Sequence, residues 1–269
     1  MTLSEKHDKL SNSLAAMPGV CVAFSGGVDS TFLLKVAKDV LGDDVLAVTA
    51  TSPTYPESEL KEARRLAESI GVEHLMVDSN ELKIPGFSEN SPNRCYHCKS
   101  DLFRKLRAVA GRRGGYVVVD GSNLDDAGDY RPGREAAKKL GVRSPLAEAR
   151  LTKSDIRALS RQMGLSTWDK PSFACLSSRF PYGEPITEEK LRMVEAAEGL
   201  LKECGFTQFR VRYHDGLARL ELLPGEMLML GSEELRLRIY DDLRKLGFTY
   251  VSADLKGYRT GSMNEVLGA

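Results

Sequence analysis

Residues 20–30 read Val-Cys-Val-Ala-Phe-Ser-Gly-Gly-Val-Asp-Ser. A β-branched apolar run stops at Ser25-Gly26-Gly27, and an amphipathic segment carrying Phe32, Leu33, Val36 and Ala37 starts just beyond it. The order is strand, glycine turn, helix. Glycines let the backbone approach an anion closely, and N–H groups at a helix start point at it with the helix dipole in support. Ser25, Ser30 and Thr31 add hydroxyl donors, and Asp29 is an oxygen ligand for a Mg²⁺ that bridges phosphates. The spacing is neither G-x-x-x-x-G-K-[ST] nor G-x-G-x-x-G, which excludes a Walker loop and a dinucleotide fingerprint. The competing reading is a tight strand-to-helix turn with no ligand. Three hydroxyls and an acid beside the glycines favour phosphate.

Further along, apolar strands alternate with helical periodicity. Strands are expected over 20–24, 45–49, 74–77 and 116–120. Helices are expected over 3–17, 30–41, 57–70, 98–110, 131–140 and 153–163, the last opened by a Thr152/Asp155 capping box. Such alternation builds an α/β fold, a parallel sheet with helices on both faces. Ligands gather at the carboxyl ends of its strands. Those ends are Ser25 to Ser30, Thr49 to Ser52, and Asp120-Gly121-Ser122-Asn123.

Periodicity lapses over 164–186, where Pro171, Pro181, Pro185 and Gly183 fall. A smaller α+β unit follows, with helices over 187–204 and 232–246 and strands over 209–214, 217–222 and 250–254. The expected division is a nucleotide domain over 1–165, an active-site loop over 166–186, and a small domain over 187–269. Asp215-Gly216 signals a two-residue type I′ hairpin. Pairing 214 with 217 sets Val211 against Leu220 and Tyr213 against Ala218 on the apolar face. The other face sets Arg210 against Glu221 and Arg212 against Arg219. Directly opposed arginines are destabilising unless something negative lies between them. An anion site for phosphate or carboxylate accounts for them; a solvated Arg–Glu surface is the alternative.

Lys+Arg and Asp+Glu both total 38 among 269 residues. The chain as a whole therefore carries no basic field to attract nucleic acid. No run approaches a membrane span, and the polar, acid-containing start (MTLSEKHDKL) is unlike a signal peptide. Five unevenly spaced cysteines do not make a disulfide framework and suit a reducing cytoplasm.

Cys95 and Cys98 form a C-x-x-C pair at the start of an expected helix. Redox dithiol, zinc and iron–sulfur readings compete for it. The motif follows an irregular stretch holding Pro85, Gly86 and Pro92, not a strand, which disfavours the redox dithiol. Structural zinc needs four ligands, and no second C-x-x-C exists. Cys175, in the irregular 164–186 segment with Lys170 and Arg179 nearby to favour thiolate, is the third candidate. Cys21 in the first strand and Cys204 at a helix end read as inert. Three thiolates fit a [4Fe–4S] cluster with one iron left open, able to carry a labile sulfide. The alternative is that Cys95 and Cys98 merely pack and Cys175 acts alone.

SGGVDS resembles the pyrophosphate loop of the N-type ATP pyrophosphatases, which split ATP between the α- and β-phosphates and leave AMP on a substrate. Together with RCYHCK, PSFACLSSRFPYG, FRVRYHDGLARLEL and GYRTGSMNE, it resembles the LarE family across nearly the whole chain. The loop is widely shared; the block around Cys175 and the GYRTGSMNE tail are far more specific. The resemblance implies a Rossmann-like adenine nucleotide alpha hydrolase fold. It also implies adenylation of the carboxylates of pyridinium-3,5-dicarboxylic acid mononucleotide and their conversion to thiocarboxylates, on the route to the nickel-pincer nucleotide of lactate racemase. Some LarE proteins sacrifice the sulfur of a single cysteine matching Cys175 and become dehydroalanine. Others carry the extra C-x-x-C and resemble cluster-bearing forms, the pattern matched here by Cys95, Cys98 and Cys175. ATP and Mg²⁺ are then expected on Ser25, Gly26, Gly27, Asp29 and Ser30, with Thr49, Ser52, Gly121, Ser122 and Asn123 near adenosine. Arg210 and Arg212 would hold the substrate phosphate, and Arg179 would stand near the sulfur centre. A homohexamer is implied, with sulfur replenished by a donor protein or free sulfide. A tRNA thiolase and a non-catalytic nucleotide sensor are the rival readings; neutral charge opposes the first, and the second leaves Cys175 unexplained.

Overall fold

The computed structural model describes residues 1–128 and 132–267. In chain order its helices are α1 (Leu3–Ala15), α2 (Val28–Leu41), α3 (Glu57–Ile70), α4 (Arg94–Gly111), α5 (Pro132–Lys139), α6 (Pro145–Glu148), α7 (Lys153–Gln162), α8 (Glu188–Glu203) and α9 (Glu233–Lys245). Its strands are β1 (Val20–Ala23), β2 (Val45–Thr51), β3 (Glu73–Asp78), β4 (Val117–Val119), β5 (Phe209–His214), β6 (Leu217–Leu222) and β7 (Tyr250–Ala253). The first residue of the helix expected over 131–140 lies outside the described residues.

Two compact units result, one of residues 1–80 and 95–173, the other of 81–94 and 174–269. In the first, four parallel strands run in the order β3-β2-β1-β4. The period of two along each strand sorts its apolar residues onto two faces. Val20, Val22, Val45, Ala47 and Val119 pack with Phe32, Leu33 and Val36 of α2 and with Leu10 and Leu14 of α1. Cys21, Leu46, Val48 and Val118 pack with Phe103, Leu106 and Val109 of α4. Both faces are covered, as a parallel sheet requires. The chain builds outward from β1 through β2 to β3, then returns to the other side of β1 for β4. That reversal falls at the carboxyl ends of β1 and β4, the switch point at which doubly wound sheets bind ligands.

In the second unit, β5 and β6 pair in the register expected from the turn, including Arg210↔Glu221 and Arg212↔Arg219. Asp215 and Gly216 both have positive φ (45° and 83°), as a type I′ turn demands. β7 adds parallel to β6. Residues 81–94, assigned by sequence to the first domain, cluster with this unit. Ile186 N–H donates to Ser88 O (2.9 Å), Gly183 N–H to Asn90 O (3.1 Å), and Asn90 Nδ2 to Pro181 O (2.6 Å). Asn90 takes a left-handed conformation (φ 55°) that asparagine tolerates. The short helix α6 was not anticipated; Pro145 at its first position and only four residues leave no periodicity to read.

Phe32 on α2 is fully buried under the sheet. Phe32→Ala is expected to destabilise the chain by about 3–5 kcal/mol, read from the urea midpoint. A loss within ±0.5 kcal/mol, the range of surface substitutions, would mean that α2 is not packed as described.

Candidate functional site

The turn between β1 and α2 is built for close approach. Gly26 has φ +65°, and a Cβ there would stand 3.1 Å from the Ala63 backbone of α3. Gly27 is the N-cap of α2 and has no side chain to cap the helix, so no capping side chain takes up the first-turn N–H groups. Ser30, buried, knits the loop: its Oγ accepts from Ser25 N–H (3.3 Å) and lies 3.1 Å from Ser25 Oγ. Gly121, after β4, is pressed against the same place; a Cβ would meet Ser30 N at 3.0 Å. The reversal of strand order thus brings Ser25, Gly26, Gly27, Asp29, Ser30 and Gly121 together.

Side chains from other segments grip the loop. Tyr55 donates to the carbonyl of Ser25, and its ring meets Phe173 edge-on at 5.6 Å. Burial, with Glu59 nearby, raises the Tyr55 pKa, so it stays a neutral donor. Lys170 Nζ donates to the carbonyl of Gly26 (3.2 Å) and pairs with Glu59 (2.7 Å). Two loop carbonyls are held this way, and the Gly27 N–H donates to Ser25 Oγ (3.4 Å) within the loop. Asp29 Oδ2 is 2.5 Å from Lys153 Nζ, and Oδ1 is 3.5 Å from Asn123 Nδ2. Tyr55, Lys153 and Lys170 were missed as loop partners. Lys153 directly follows the Thr152 cap, a position where a lysine opposes the helix dipole, and that oddity was the available signal.

The other expected residues divide. Thr49 is buried and its hydroxyl is already engaged, donating to Phe24 O (2.7 Å) and lying 2.8 Å from His74 Nε2. His74 therefore presents Nε2–H, and burial lowers its pKa. Ser52 Oγ accepts from Thr54 N–H (3.0 Å) in the loop after β2. Ser122 donates twice to Asp120, and Asn123 Oδ1 accepts from Asp125 N–H (2.9 Å). Both shape the turn after β4.

In the second unit the arginine face is neutralised from within. Glu221, fully buried, accepts from Arg212 Nε and Nη2 (3.0 and 2.7 Å), from Ser262 Oγ (2.7 Å), and pairs with Arg219 (3.3 Å). Asp254 is the second partner of Arg219. The negative group required between the opposed arginines is thus a carboxylate of the chain itself. Arg210 lies over the Tyr258 ring at 5.2 Å. Burial, with the Arg179 charge next, lowers its pKa to about 10; burial lowers that of Arg212 as well. Cations disfavoured in this way gain from an added anion.

Arg179 is fully buried and pairs through both Nε and Nη2 with Glu198 (2.8 and 2.7 Å). Its Nη1 donates to the carbonyls of Ala174 (2.6 Å) and Cys175 (3.2 Å). The guanidinium therefore shapes the backbone at Cys175. Lys170, expected beside Cys175, has its ammonium on Glu59 and the loop carbonyl. Cys175 is half-buried just before a 3₁₀ turn, Leu176–Arg179. Cys95 and Cys98 occupy the first turn of α4, one exposed and one half-buried. Among the described residues, no group of three or more His, Cys, Asp or Glu side chains is arranged to hold a metal ion. Cys21 is buried in β1, which pushes its thiol up to about 12 and leaves it unreactive. Among the described residues, no helix is long and apolar enough to cross a membrane.

A glycine-turned β1–α2 junction sits at the switch point of a parallel sheet, and the NAD synthase family model, that of an N-type ATP pyrophosphatase domain, matches residues 4–107. The chain is 40% identical over 270 residues to the pyridinium-3,5-bisthiocarboxylic acid mononucleotide synthase of Lactiplantibacillus plantarum, spanning 99% of this chain and 96% of that one. It is 44% identical to an uncharacterized protein of Synechocystis, over 98% of this chain and 99% of the relative. At 26% identity it aligns with 74% of the tRNA-specific 2-thiouridylase of Rhodopseudomonas palustris, using 93% of its own length. The chain belongs to the LarE family of ATP-dependent sulfurtransferases.

Removing one partner of a buried ion pair leaves the other charge uncompensated, at a cost of about 3–5 kcal/mol. Glu221→Gln should lose that much in denaturant unfolding. An unchanged midpoint would mean that Arg212 and Arg219 find solvent instead.

Proposed function

We propose that this chain uses ATP to adenylate a carboxylate of pyridinium-3,5-dicarboxylic acid mononucleotide and exchanges the activated oxygen for sulfur. The observation that carries this reading is the grip on the β1–α2 loop, in a chain similar over its whole length to a bisthiocarboxylate synthase. A carboxylate cannot expel oxide, so activation comes first. A carboxylate oxygen attacks the α-phosphorus and the bond to the bridging oxygen breaks. Pyrophosphate leaves with the electron pair, and negative charge builds on it. Ser25, Gly26, Gly27 and Ser30 are the donors for that charge, since preorganised N–H groups stabilise it at no cost of reorganisation. Ser52, Gly121, Ser122 and Asn123 border the adenosine in this reading, with Thr49 supporting from beneath. The half-exposed Asp29 carboxylate at the head of α2 suits a hard cation, and Mg²⁺ there would neutralise phosphate charge. Sulfur then attacks the acyl carbon and AMP departs.

Arg210 and Arg212 are assigned to the substrate's phosphate; the lowered Arg210 pKa supports an anion there. Arg179 is a positioning residue for Cys175. Residues 1–165 serve adenylation and 187–269 serve substrate capture and assembly into a homohexamer. Cys95, Cys98 and Cys175 are proposed as ligands of a [4Fe–4S] cluster, the thiolate donors that such clusters prefer. Cys95 and Cys98 lie three residues apart on α4, which puts them on one helix face. When bound, the cluster would supply a sulfide.

The test is anaerobic purification, assay of iron and acid-labile sulfide, then addition of ATP and the dicarboxylate nucleotide with AMP, pyrophosphate, product and protein mass followed together. Thiocarboxylate with an intact, iron-bearing protein is expected. Loss of sulfur mass at Cys175 would assign sacrifice instead, and thiolation of bulk tRNA would overturn the substrate assignment. Cys175→Ala should keep pyrophosphate release and lose thiocarboxylate. Retained product in that variant would remove Cys175 from the mechanism.

A further inference from the structure

We propose that the outward face of α9 is a two-fold contact with a second copy of this chain, packed antiparallel against the same helix of the partner. This goes beyond the assembly proposed above by naming one of its surfaces. α9 turns Ile239 and Leu243 into its own unit, where both are buried. The outward stripe carries Glu233, Leu237, Tyr240 and Arg244, all exposed. Leu237 and Tyr240 leave 55% and 44% of their surface in solvent. Covering two large apolar side chains at the middle of one helix face is favourable, and the stripe states what fits over them.

Steps of four, three and four residues make the narrow seam that one helix offers to another. Those steps read the same in both directions, so the centre of the stripe falls between Arg238 and Ile239. An isologous contact needs one patch that matches itself after reversal. Turned end for end, Leu237 falls opposite the partner's Tyr240, and Glu233 opposite the partner's Arg244. The chemistry is complementary in the same sense, since acid, apolar, apolar, base meets base, apolar, apolar, acid. Two ion pairs thus close the ends of an apolar centre.

Neither terminal charge is committed to an ion pair within the chain. Among the described residues Glu233 forms none, and Arg244 Nη1 donates to the carbonyls of Phe248 (3.1 Å) and Thr249. The internal pairs of the helix, Asp242 with Arg238 (3.9 Å) and with Lys245 (2.8 Å), lie off the stripe. Acid in the first turn and base in the last also suit the helix dipole, and antiparallel neighbours set those dipoles head to tail. A specific interface buries roughly 800 Å² on each partner, more than a 13-residue seam supplies alone. A groove of about 300 Å³ beside Leu237 and Tyr240, lined also by Leu220, Val251 and Ala253, continues the apolar surface.

Molar mass is measured by light scattering after size exclusion for wild type, Glu233→Arg, Arg244→Glu, Tyr240→Asp, and an equimolar mixture of the two charge reversals. Each single variant should halve the wild-type mass, because like charges or a carboxylate at the apolar centre then meet across the axis. The mixture should recover the full mass, since one helix then carries arginine at both ends of the stripe and the other carries glutamate at both. Far-ultraviolet circular dichroism should match wild type throughout. Tyr240→Asp leaves Arg244 in place, so it reads the contact even where Arg244→Glu loosens the turn after α9. Unchanged mass in Glu233→Arg and Tyr240→Asp, or no recovery in a mixture of folded variants, would overturn the inference. A wild type with the mass of one chain overturns this contact and the proposed assembly together. A larger mass that survives every substitution overturns this contact alone, and a mass of two chains halved by the variants supports the contact while removing the hexamer.

Discussion

Everything in the nucleotide-facing half depends on β1 being paired on both sides by parallel neighbours. Val20 aligns with Val45 of β2 and with Val117 of β4, so β1 is a central strand with no free edge. The chain leaves β1 through Gly26 and Gly27 and comes back on the opposite side only after three helical crossovers. At that reversal the connections diverge, the place where doubly wound sheets bind ligands. Gly121 is the consequence most open to reading at atomic scale. It lies so near Ser30 N that only a residue without a Cβ lets the two strand ends close together.

Sequence resolved what periodicity and turn chemistry encode. The four parallel strands, the hairpin register and the loop at β1–α2 each follow from a local rule: alternation, Asp-Gly with positive φ, and glycine before an amphipathic helix. Residues 81–94 escaped because much of their attachment is made by backbone groups, as in Ile186 N–H to Ser88 O, which leave no mark on residue type, and because the Asn90 side chain bonds backbone carbonyls ninety positions away. Lys153, Lys170 and Tyr55 escaped for a related reason. Each is an ordinary surface-type residue whose meaning comes from a partner at least thirty positions away.

The arginine hairpin shows how a correct register can carry an incomplete electrostatic conclusion. Arg212 does oppose Arg219, and something negative does lie between them, but that group is Glu221 two residues along β6. Alternation puts Glu221 and Arg219 on one face, so the compensating charge was present in the pattern. The remaining excess falls on Arg210, whose pKa burial and Arg179 depress. Buried arginines bonded to buried carboxylates set a rigid frame, because moving any one of them strands a charge. On the proposed assignment of Arg210 and Arg212, a substrate phosphate would meet this frame already formed, with little side-chain entropy left to lose.

Arg179 and Lys170 illustrate how cations near a reactive segment act through the backbone. Arg179 spends two nitrogens on Glu198 and the third on the carbonyls of Ala174 and Cys175. Lys170 holds the carbonyl of Gly26 while Phe173, three residues on, rests against Tyr55, which holds the carbonyl of Ser25. The strand of chain that leads to Cys175 is therefore itself part of the grip on the phosphate loop. Residues 170–173 thus fix the peptides of Ser25 and Gly26 from a distant part of the sequence, through one ammonium, one hydroxyl and one ring contact.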